Sequence, residues 1–361
     1  MTDGVTGQER SAAASRPLRV AIAGCHRMLS RTPGSHNFAA DLAAVPETQV
    51  VAVFDRGADT REGFTACWRS TWGELRPYDD YARMLDEVRP DIVCLSTRQT
   101  MHAAQLEEAV EAGVKGIVCD KPLATSLEEA DAMLARCREA GVPLAFALTR
   151  RWDQAYQRLC QLVAEGAVGT VTGVIAGGVP NLINHGPHWY DVALALAGDA
   201  EPRWVSGLVD DVSAEAADSN RRRDPPGRGQ VGLEGGAVVY LTPAGGPSPS
   251  FEVLGTRGRI LTADDARSAV IWETAPAGQP ARPRALELPA RDGYEVGPAL
   301  VRDLVQAVRS SGTTACDAEH ARRATEIGFA MHLSGAAGGA RIDLPAAERS
   351  LRIPSLPWGN E

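Results

Sequence analysis

Long apolar runs are what this chain most clearly lacks. None in its 361 residues reaches the ~18 consecutive apolar positions that a membrane-crossing helix needs. Residues 1–17, MTDGVTGQERSAAASRP, hold no apolar core of the kind a secretory leader carries, and they read as a disordered tail. Paired cysteines are missing too. The seven cysteines are scattered without metal-ligand spacing, which predicts reduced thiols and a cytoplasmic setting. Cys94 and Cys119 fall in strand-like runs and read as small buried side chains. Positive charge is in deficit, with 37 Lys and Arg against 46 Asp and Glu and a net charge of −9. That argues against non-specific attraction to nucleic acid or an anionic membrane. The one basic cluster, Arg221–Arg223, lies in SNRRRDPPGRG with no interleaved aromatic residue, and reads as a solvated loop. There is no internal repeat. What remains is an ordinary globular composition, 44% hydrophobic and 23% charged, in a chain long enough for two cores.

Residues 18–148 alternate short apolar runs with longer amphipathic ones. Strands are predicted at Leu18–Gly24, Val50–Asp55, Asp91–Ser96, Gly116–Cys119 and Pro143–Ala147. Helices are predicted at His36–Ala44 (with Ser35 as N-cap), Tyr81–Val88, Met101–Ala112 and Ser126–Ala140. That order calls for an α/β unit, a doubly wound parallel sheet with helices on both faces. From 149 to 345 the pattern changes. A helix near Gln154–Glu165, a strand at Val171–Ala176 and a helix at Gly186–Leu196 lead into alternating segments from Trp204 to Leu288, broken by Gly and Pro. These predict an antiparallel or mixed sheet, closed by a helix at His320–Leu333. Residues 346–361 are a C-terminal extension.

The first strand is followed by Gly24-Cys25-His26-Arg27-Met28-Leu29. A dinucleotide turn carries glycine at the first, third and sixth positions, for the turn, the pyrophosphate and helix packing in that order. Only Gly24 is in register; His26 and Leu29 occupy the other two positions. The turn is extended by LSRTPG, so Gly34 is the candidate for the close contact before the helix, whose N-terminus offers N–H groups to phosphate. Asp55 ends the second strand, where a carboxylate accepts both ribose hydroxyls and favours NAD. Arg56 beside it keeps NADP open, since a guanidinium pairs with a 2′-phosphate. Arg27 and Arg31 either reach the pyrophosphate or face solvent.

The chemical signal is a pair of segments. In VCDKPL, Lys121 follows an apolar strand directly and so points into the ligand crevice of such a fold, with Pro122 restricting its backbone. In NHGPHWYD, Asn184 and His188 stand i,i+4 on a helix start and share a face. His188 is a candidate general base. Lys121 would bond the same substrate oxygen, or carry the proton itself if burial and nearby positive charge lower its pKa. Asn184 would orient the substrate or His188. Asp191 would hold the far ring nitrogen of His188 or anchor the helix. His185, His188 and Asp191 are zinc-ligand types, but their spacing carries them progressively around the helix, and no metal is expected.

In these residues the chain resembles the Gfo/Idh/MocA oxidoreductases, over roughly residues 18–345. The likeness rests on RVAIAGC, VVAVFD, DIVCLSTRQTMHAAQLEEAVEAG, VCDKPLATSLEEADAML, the RRW of Arg150–Trp152, INHGPHWYDVALALAG and FEVLGTRGRI. It implies a Rossmann-like domain followed by a domain with a large open, mostly antiparallel sheet that forms a homodimer or homotetramer face. It also implies hydride transfer with NAD or NADP at a secondary alcohol or ketone of a sugar, inositol or related polyol. By that likeness Lys121 and His188 carry proton transfer and substrate contact, with Asp120 where the family usually has Glu. Asn184 falls where many members have Asp, which weakens a Lys-Asp-His relay. Thr97, Gln99 and His102 would line the nicotinamide side, and Arg151, Trp152, His185 and Trp189 would meet the substrate. Two other readings stay open. One is a non-catalytic NAD(P)-binding sensor or scaffold, which the altered glycine turn favours. The other is a glycoside-cleaving enzyme that uses transient NAD oxidation.

Overall fold

The computed structural model describes residues 16–210, 224–246, 248–274, 281–291 and 293–354. The tail expected over 1–17 (all but Arg16 and Pro17), the Arg221–Arg223 cluster and residues 355–361 of the C-terminal extension lie outside the described residues. Among those described, no helix is long and apolar enough to cross a membrane.

The first sheet has six strands: β1 (Leu18–Ala23), β2 (Thr48–Phe54), β3 (Arg76–Tyr78), β4 (Ile92–Leu95), β5 (Gly116–Cys119) and β6 (Leu144–Phe146). All pair in parallel, in the order β3-β2-β1-β4-β5-β6. This is the doubly wound order, whose ligand crevice opens at the carboxyl ends of β1 and β4, where the winding reverses. Residues 20–23 and 92–95 are fully buried on both faces, which is why these strands read as unbroken apolar runs.

Five helices cover this sheet: α1 (Phe38–Ala43), α2 (Ala58–Trp72), α3 (Tyr81–Val88), α4 (Gln99–Glu111) and α5 (Leu127–Ala140). Local chemistry sets their ends. The Ser126 hydroxyl caps Glu129 N–H at the start of α5, and Gly141 closes it in a left-handed conformation. The first helix departs from expectation. It begins at Phe38 rather than His36, and its N-cap is Asn37, which accepts from Ala40 N–H, not Ser35. The delay comes from His36, whose backbone is left-handed at φ 65° and cannot lie inside a right-handed helix. Helix α2 and strand β3 were not predicted. In α2 only Phe64 and Trp68 are buried, too sparse a stripe to read as a period.

The second sheet has nine strands: β7 (Val171–Gly177), β8 (Pro202–Val209), β9 (Gly227–Leu233), β10 (Val238–Thr242), β11 (Ser250–Gly255), β12 (Gly258–Ala263), β13 (Ser268–Glu273), β14 (Pro283–Ala285) and β15 (Ile342–Asp343). Their order is β14-β13-β12-β11-β7-β10-β9-β8-β15. Only β7 and β10 pair in parallel; the other neighbours are antiparallel. Helices α6 (Gln154–Ala164), α7 (Gly186–Leu196), α8 (Val296–Ser310) and α9 (Ala318–Ala336) are the remaining described α-helices.

Helix α8, also not predicted, returns to the first unit. Leu300, Val301, Leu304 and Val305 join the core under the parallel sheet, and a side chain at Gly116 of β5 would strike Val308 and Leu304. Helix α9 contributes to both cores, through Ala321 and Ala324 on one side and Ile327, Ala330 and Met331 on the other. The two sheets are thereby held so that the carboxyl end of β5 faces the start of α7.

Candidate active site

Between the two sheets lies a cavity of about 780 Å³ whose walls include His36, Lys121, Arg150, His185, His188 and Trp189. Lys121 enters it directly from β5. Its side chain is only 6% exposed, and its Nζ donates to Asn184 Oδ1 at 3.0 Å. Two segments read separately in the sequence thus meet in one hydrogen bond. Burial brings the Lys121 amine down to about 8, with the Arg27 charge assisting and Asp120 and Asp224 opposing. Near neutrality the amine therefore exchanges between its charged and neutral forms.

His188 also lines the cavity, and its Nδ1 is enclosed without a hydrogen-bond partner. Burial first, then the charges of Arg150 and Lys121, holds its ring well below the ordinary imidazole range. His185 is depressed to about 3 by burial and by Lys121, and its ring faces Asn181 at 3.2 Å. Asp191 does not hold His188. Its two carboxylate oxygens each accept from Arg151 Nε at 2.9 Å, so it anchors the helix. Arg151 is thereby turned away from His188, toward Asp191 and Asp199. It is Arg150 that lines the cavity, stacked over Trp189 and bound to Asp265 at 2.7 Å. Trp152 and Trp189 form part of the wall, but their indole N–H groups are taken up by Asp303 and the Gly177 carbonyl. With Asp191 bound by Arg151, the three zinc-ligand types do not converge. Among the described residues no group of three His, Cys, Asp or Glu is placed to hold a metal ion.

Two functional neighbours were not foreseen. Asp224, buried, accepts the backbone N–H groups of Leu182, Ile183 and Asn184 at 3.0, 2.8 and 2.8 Å, and so fixes the turn that presents Asn184. His36 Nδ1 lies 2.9 Å from Asp120 Oδ2, while Asp120 Oδ1 accepts Lys121 N–H at 2.8 Å. Both are long-range contacts, spanning 40 to 42 and 84 residues, with no local pattern to announce them.

The turn after β1 fits a dinucleotide at its first glycine. Gly24 has φ 83°, and a Cβ there would stand 2.6 Å from the Ser96 carbonyl of the β4 turn. Only glycine allows the two switch-point turns to meet this closely. Buried Gln99 follows on the β4 side, with both amide atoms lacking a partner; a ligand in the crevice would supply one. Asp55 Oδ2 accepts Cys25 N–H at 3.0 Å and Oδ1 accepts Gly57 N–H at 2.9 Å. Each oxygen keeps a second lone pair for a ribose hydroxyl.

Other cofactor expectations change. Gly34 makes no close approach, since an added Cβ meets nothing within 4 Å. Arg31 is exposed, the solvent-facing alternative, and its guanidinium binds the Cys67 carbonyl of α2. Helix α1 has six residues, and Asn37 already caps it. His26, Arg27 and Arg56 are exposed beside the turn. His102 is fully buried, with Nδ1 and Nε2 facing the Leu123 and Thr97 carbonyls at 3.1 Å each. It ties the β4 turn to the Lys121 loop rather than facing the cavity, and Thr97 bonds Gln105.

A doubly wound sheet with glycine at its switch point, joined to an open sheet that closes a lysine-bearing cavity, defines a two-domain nucleotide-dependent class. Residues 18–148 of the 361 match the GFO_IDH_MocA oxidoreductase family, NAD-binding Rossmann fold. D-apiose dehydrogenase of Paraburkholderia graminis is 40% identical over 99 residues, 27% of this chain and 26% of the relative. D-glucoside 3-dehydrogenase of Escherichia coli is 28% identical over 209 residues, 52% and 56% of the two chains. The chain thus spans less than two thirds of these relatives' length. In fold it is similar to levoglucosan dehydrogenase solved with NADH and levoglucosan. That TM-score is 0.74 at 18% identity, covering 91% of this chain and 100% of the other.

Proposed function

We propose that the protein is a nicotinamide-dependent oxidoreductase that moves a hydride to or from a secondary alcohol or ketone of a sugar, inositol or related polyol. The observation that carries this reading is the buried Lys121–Asn184 hydrogen bond at the end of β5, beside the switch point marked by Gly24. The relatives' names point to the same substrate class, since they act on apiose, glucosides and levoglucosan. NAD is favoured through Asp55, and Arg56 leaves NADP as the second choice.

When bound, the cofactor supplies the hydride chemistry. Gly24, Asp55 and Gln99 would hold it, with His26, Arg27 and Thr97 at its margins. In the oxidising direction Lys121 takes the hydroxyl proton at Nζ. A pKa of about 8 suits a group that must both accept and return a proton near neutrality. Asn184 Oδ1 accepts a hydrogen bond from Nζ in either charge state and so fixes the direction of its lone pair. His188, held neutral and weakly basic first by burial and then by the charges of Arg150 and Lys121, serves as a hydrogen-bond partner of the substrate oxygen rather than as the base. Trp152 and Trp189 offer apolar surface to a sugar ring, while His185 borders it. We take residues 18–148 as the cofactor unit and 149–345 as the substrate unit. Assembly to a dimer or tetramer would use the uncovered face of the nine-stranded sheet, where Tyr240 and Leu261 are exposed.

The test is a calorimetric titration of the cofactor-free protein with NAD⁺, NADH, NADP⁺ and NADPH, followed by a polyol and sugar screen with the form that binds. Saturable binding and turnover are expected. Binding of none of the four overturns the reading.

A further inference from the structure

The loop that replaces the usual glycine turn brings an imidazole to the acid–base site. His36 stands in it with a left-handed backbone, φ 65°. A residue with a Cβ takes up that conformation only when its surroundings impose it, and here they do. Asn37, next in the chain, donates to the Ser30 and Thr32 carbonyls at 3.0 and 2.8 Å and caps α1. On the other side Ser35 bonds the Tyr294 hydroxyl. The loop is braced from both sides, and the result is a single directed contact, His36 Nδ1 to the Asp120 carboxylate at 2.9 and 3.2 Å.

Asp120 is the residue before Lys121. It is 7% exposed, and its Oδ1 also accepts the Lys121 backbone N–H. Despite burial, which opposes ionisation, His36 and then Lys121 hold this carboxyl below its ordinary range. The charged and titratable groups around Lys121 are then Asp120, Arg27 and Asp224, with His36, His185, His188 and Arg150 across the cavity. Asn184, its direct partner, carries no charge. Asp120 is therefore the anion nearest to Lys121 in sequence and the strongest one acting on it, and His36 is the group that can neutralise it.

We propose that His36 is a positioning residue of the acid–base site, which holds Asp120 as a carboxylate against the Lys121 backbone and so controls the charge on the Lys121 amine. The His36 ring nitrogen, 2.9 Å from the carboxylate, engages the Asp120 charge by hydrogen bond and so lessens its pull on the Lys121 amine, which favours the neutral, proton-accepting form. Without His36, Asp120 stays ionised through Lys121 and the backbone N–H, its charge is unbalanced, and the ammonium is favoured. Removal of the Asp120 charge acts in the opposite sense. The inference rests on the acid–base role proposed for Lys121, but its test needs neither substrate nor cofactor.

The chain has only two lysines, Lys115 and Lys121, and Lys115 is a surface residue paired with Asp91 at 2.8 Å. In protein labelled with ¹³C-lysine, the two ε-methylene signals can be followed by NMR against pH, with Lys121→Met assigning the buried one. His36→Asn is the variant of choice because Asn tolerates the left-handed region; Asp120→Asn is the second. The expected result is that Lys121 titrates about one pH unit higher in His36→Asn and lower in Asp120→Asn, with Lys115 unmoved in both. Lys121 titrating as in the parent in His36→Asn, or moving the same way in both variants, overturns the proposal. If only one variant folds, the direction of its shift decides. Should Lys121→Ala retain full polyol turnover, the functional reading fails while the charge coupling still stands or falls on the NMR titration.

Discussion

The turn after β1 and the turn after β5 lie at the carboxyl end of one sheet, with β4 between their strands, and are built in opposite ways. The β1 turn keeps a single motif residue, Gly24, and takes its shape from distant partners: Asp55 holding Cys25 N–H, Asn37 holding the 30–32 carbonyls. The β5 turn keeps its chemistry in the chain itself, with Asp120 and Lys121 adjacent and both buried. A nucleotide-facing turn needs only a backbone path and can exchange its motif for other supports. A proton-transferring turn needs one amine in one environment. The contrast teaches that loss of the glycine pattern is not by itself loss of the site.

The sharpest way to break this comparison is Lys121→Ala. Loss of the Lys121 amine from the cavity wall should lower kcat by about 10²- to 10⁴-fold, with circular dichroism and oligomer size unchanged. Steady-state kinetics on the best polyol reads it; a rate within a few fold of the parent would remove the distinction between the two turns.

Gly24→Ala tests the other side. The added Cβ meets the Ser96 carbonyl at 2.6 Å and φ is 83°, so the switch-point turns must part. A loss of roughly 2 kcal/mol or more in urea unfolding is expected, with weaker NAD binding by calorimetry. Asp224→Asn should come close behind in stability. It leaves an amide N–H₂ facing a backbone N–H, a clash of buried donors that costs about 1–3 kcal/mol. It should also lower kcat, because Asn184 loses its fixed place, and the change should appear in kcat more than in KM.

How much of this was legible in sequence follows the same division. Residues 20–23 of β1 and strands β4 and β5 are fully buried apolar runs, and α7 begins and ends at Gly186 and Leu196 as its pattern predicts, so Lys121 and His188 could be placed, whereas Asn184, expected on the helix start, lies in the turn before α7. Helix α8 carries a local apolar stripe at Leu300, Val301, Leu304 and Val305, so its formation was legible, and only its docking against the distant parallel sheet was not. Strand β3 is three residues long and contains Pro77, which reads as a breaker. His36 and Asp224 act across 84 and about 40 residues, and no periodicity encodes such a contact. The Arg150–Arg151 pair shows the remaining difficulty. Two identical neighbours diverge, one to the cavity and one to Asp191, and only the tertiary fold decides which is which.

A smaller effect sharpens the comparison through pH. Lys121 titrates at about 8 in the fold against an ordinary 10.5. The folded state therefore binds fewer protons than the unfolded state between those values, and stability should rise as pH rises from about 8 to 10.5. Below about 8 the buried ammonium is a constant penalty. Lys121→Met removes it and should stabilise the protein at pH 7 by about 3 kcal/mol, a gap that nearly closes by pH 10.5. Urea midpoints at pH 7, 9 and 10.5 for both proteins provide the check. A parent as stable as the variant at pH 7 would mean that the site holds its charge without strain. In turnover the same group predicts that kcat/KM for alcohol oxidation climbs through about pH 8, as the neutral amine becomes the major form.

The smallest expected effect is Gly34→Ala. Its Cβ would meet nothing within 4 Å, and its φ is not in the left-handed region. Substitution there should change stability by less than about 0.5 kcal/mol, or raise it slightly by restricting the unfolded chain, and should leave NAD affinity as it is. Set beside Gly24→Ala, this pair separates a glycine that the switch point requires from one that merely lies in the replacement loop. If Gly34→Ala instead weakened the nucleotide while sparing the fold, the loop itself would be touching pyrophosphate. Its arrangement around Asn37 and His36 would then belong to cofactor binding as well as to the amine at Lys121.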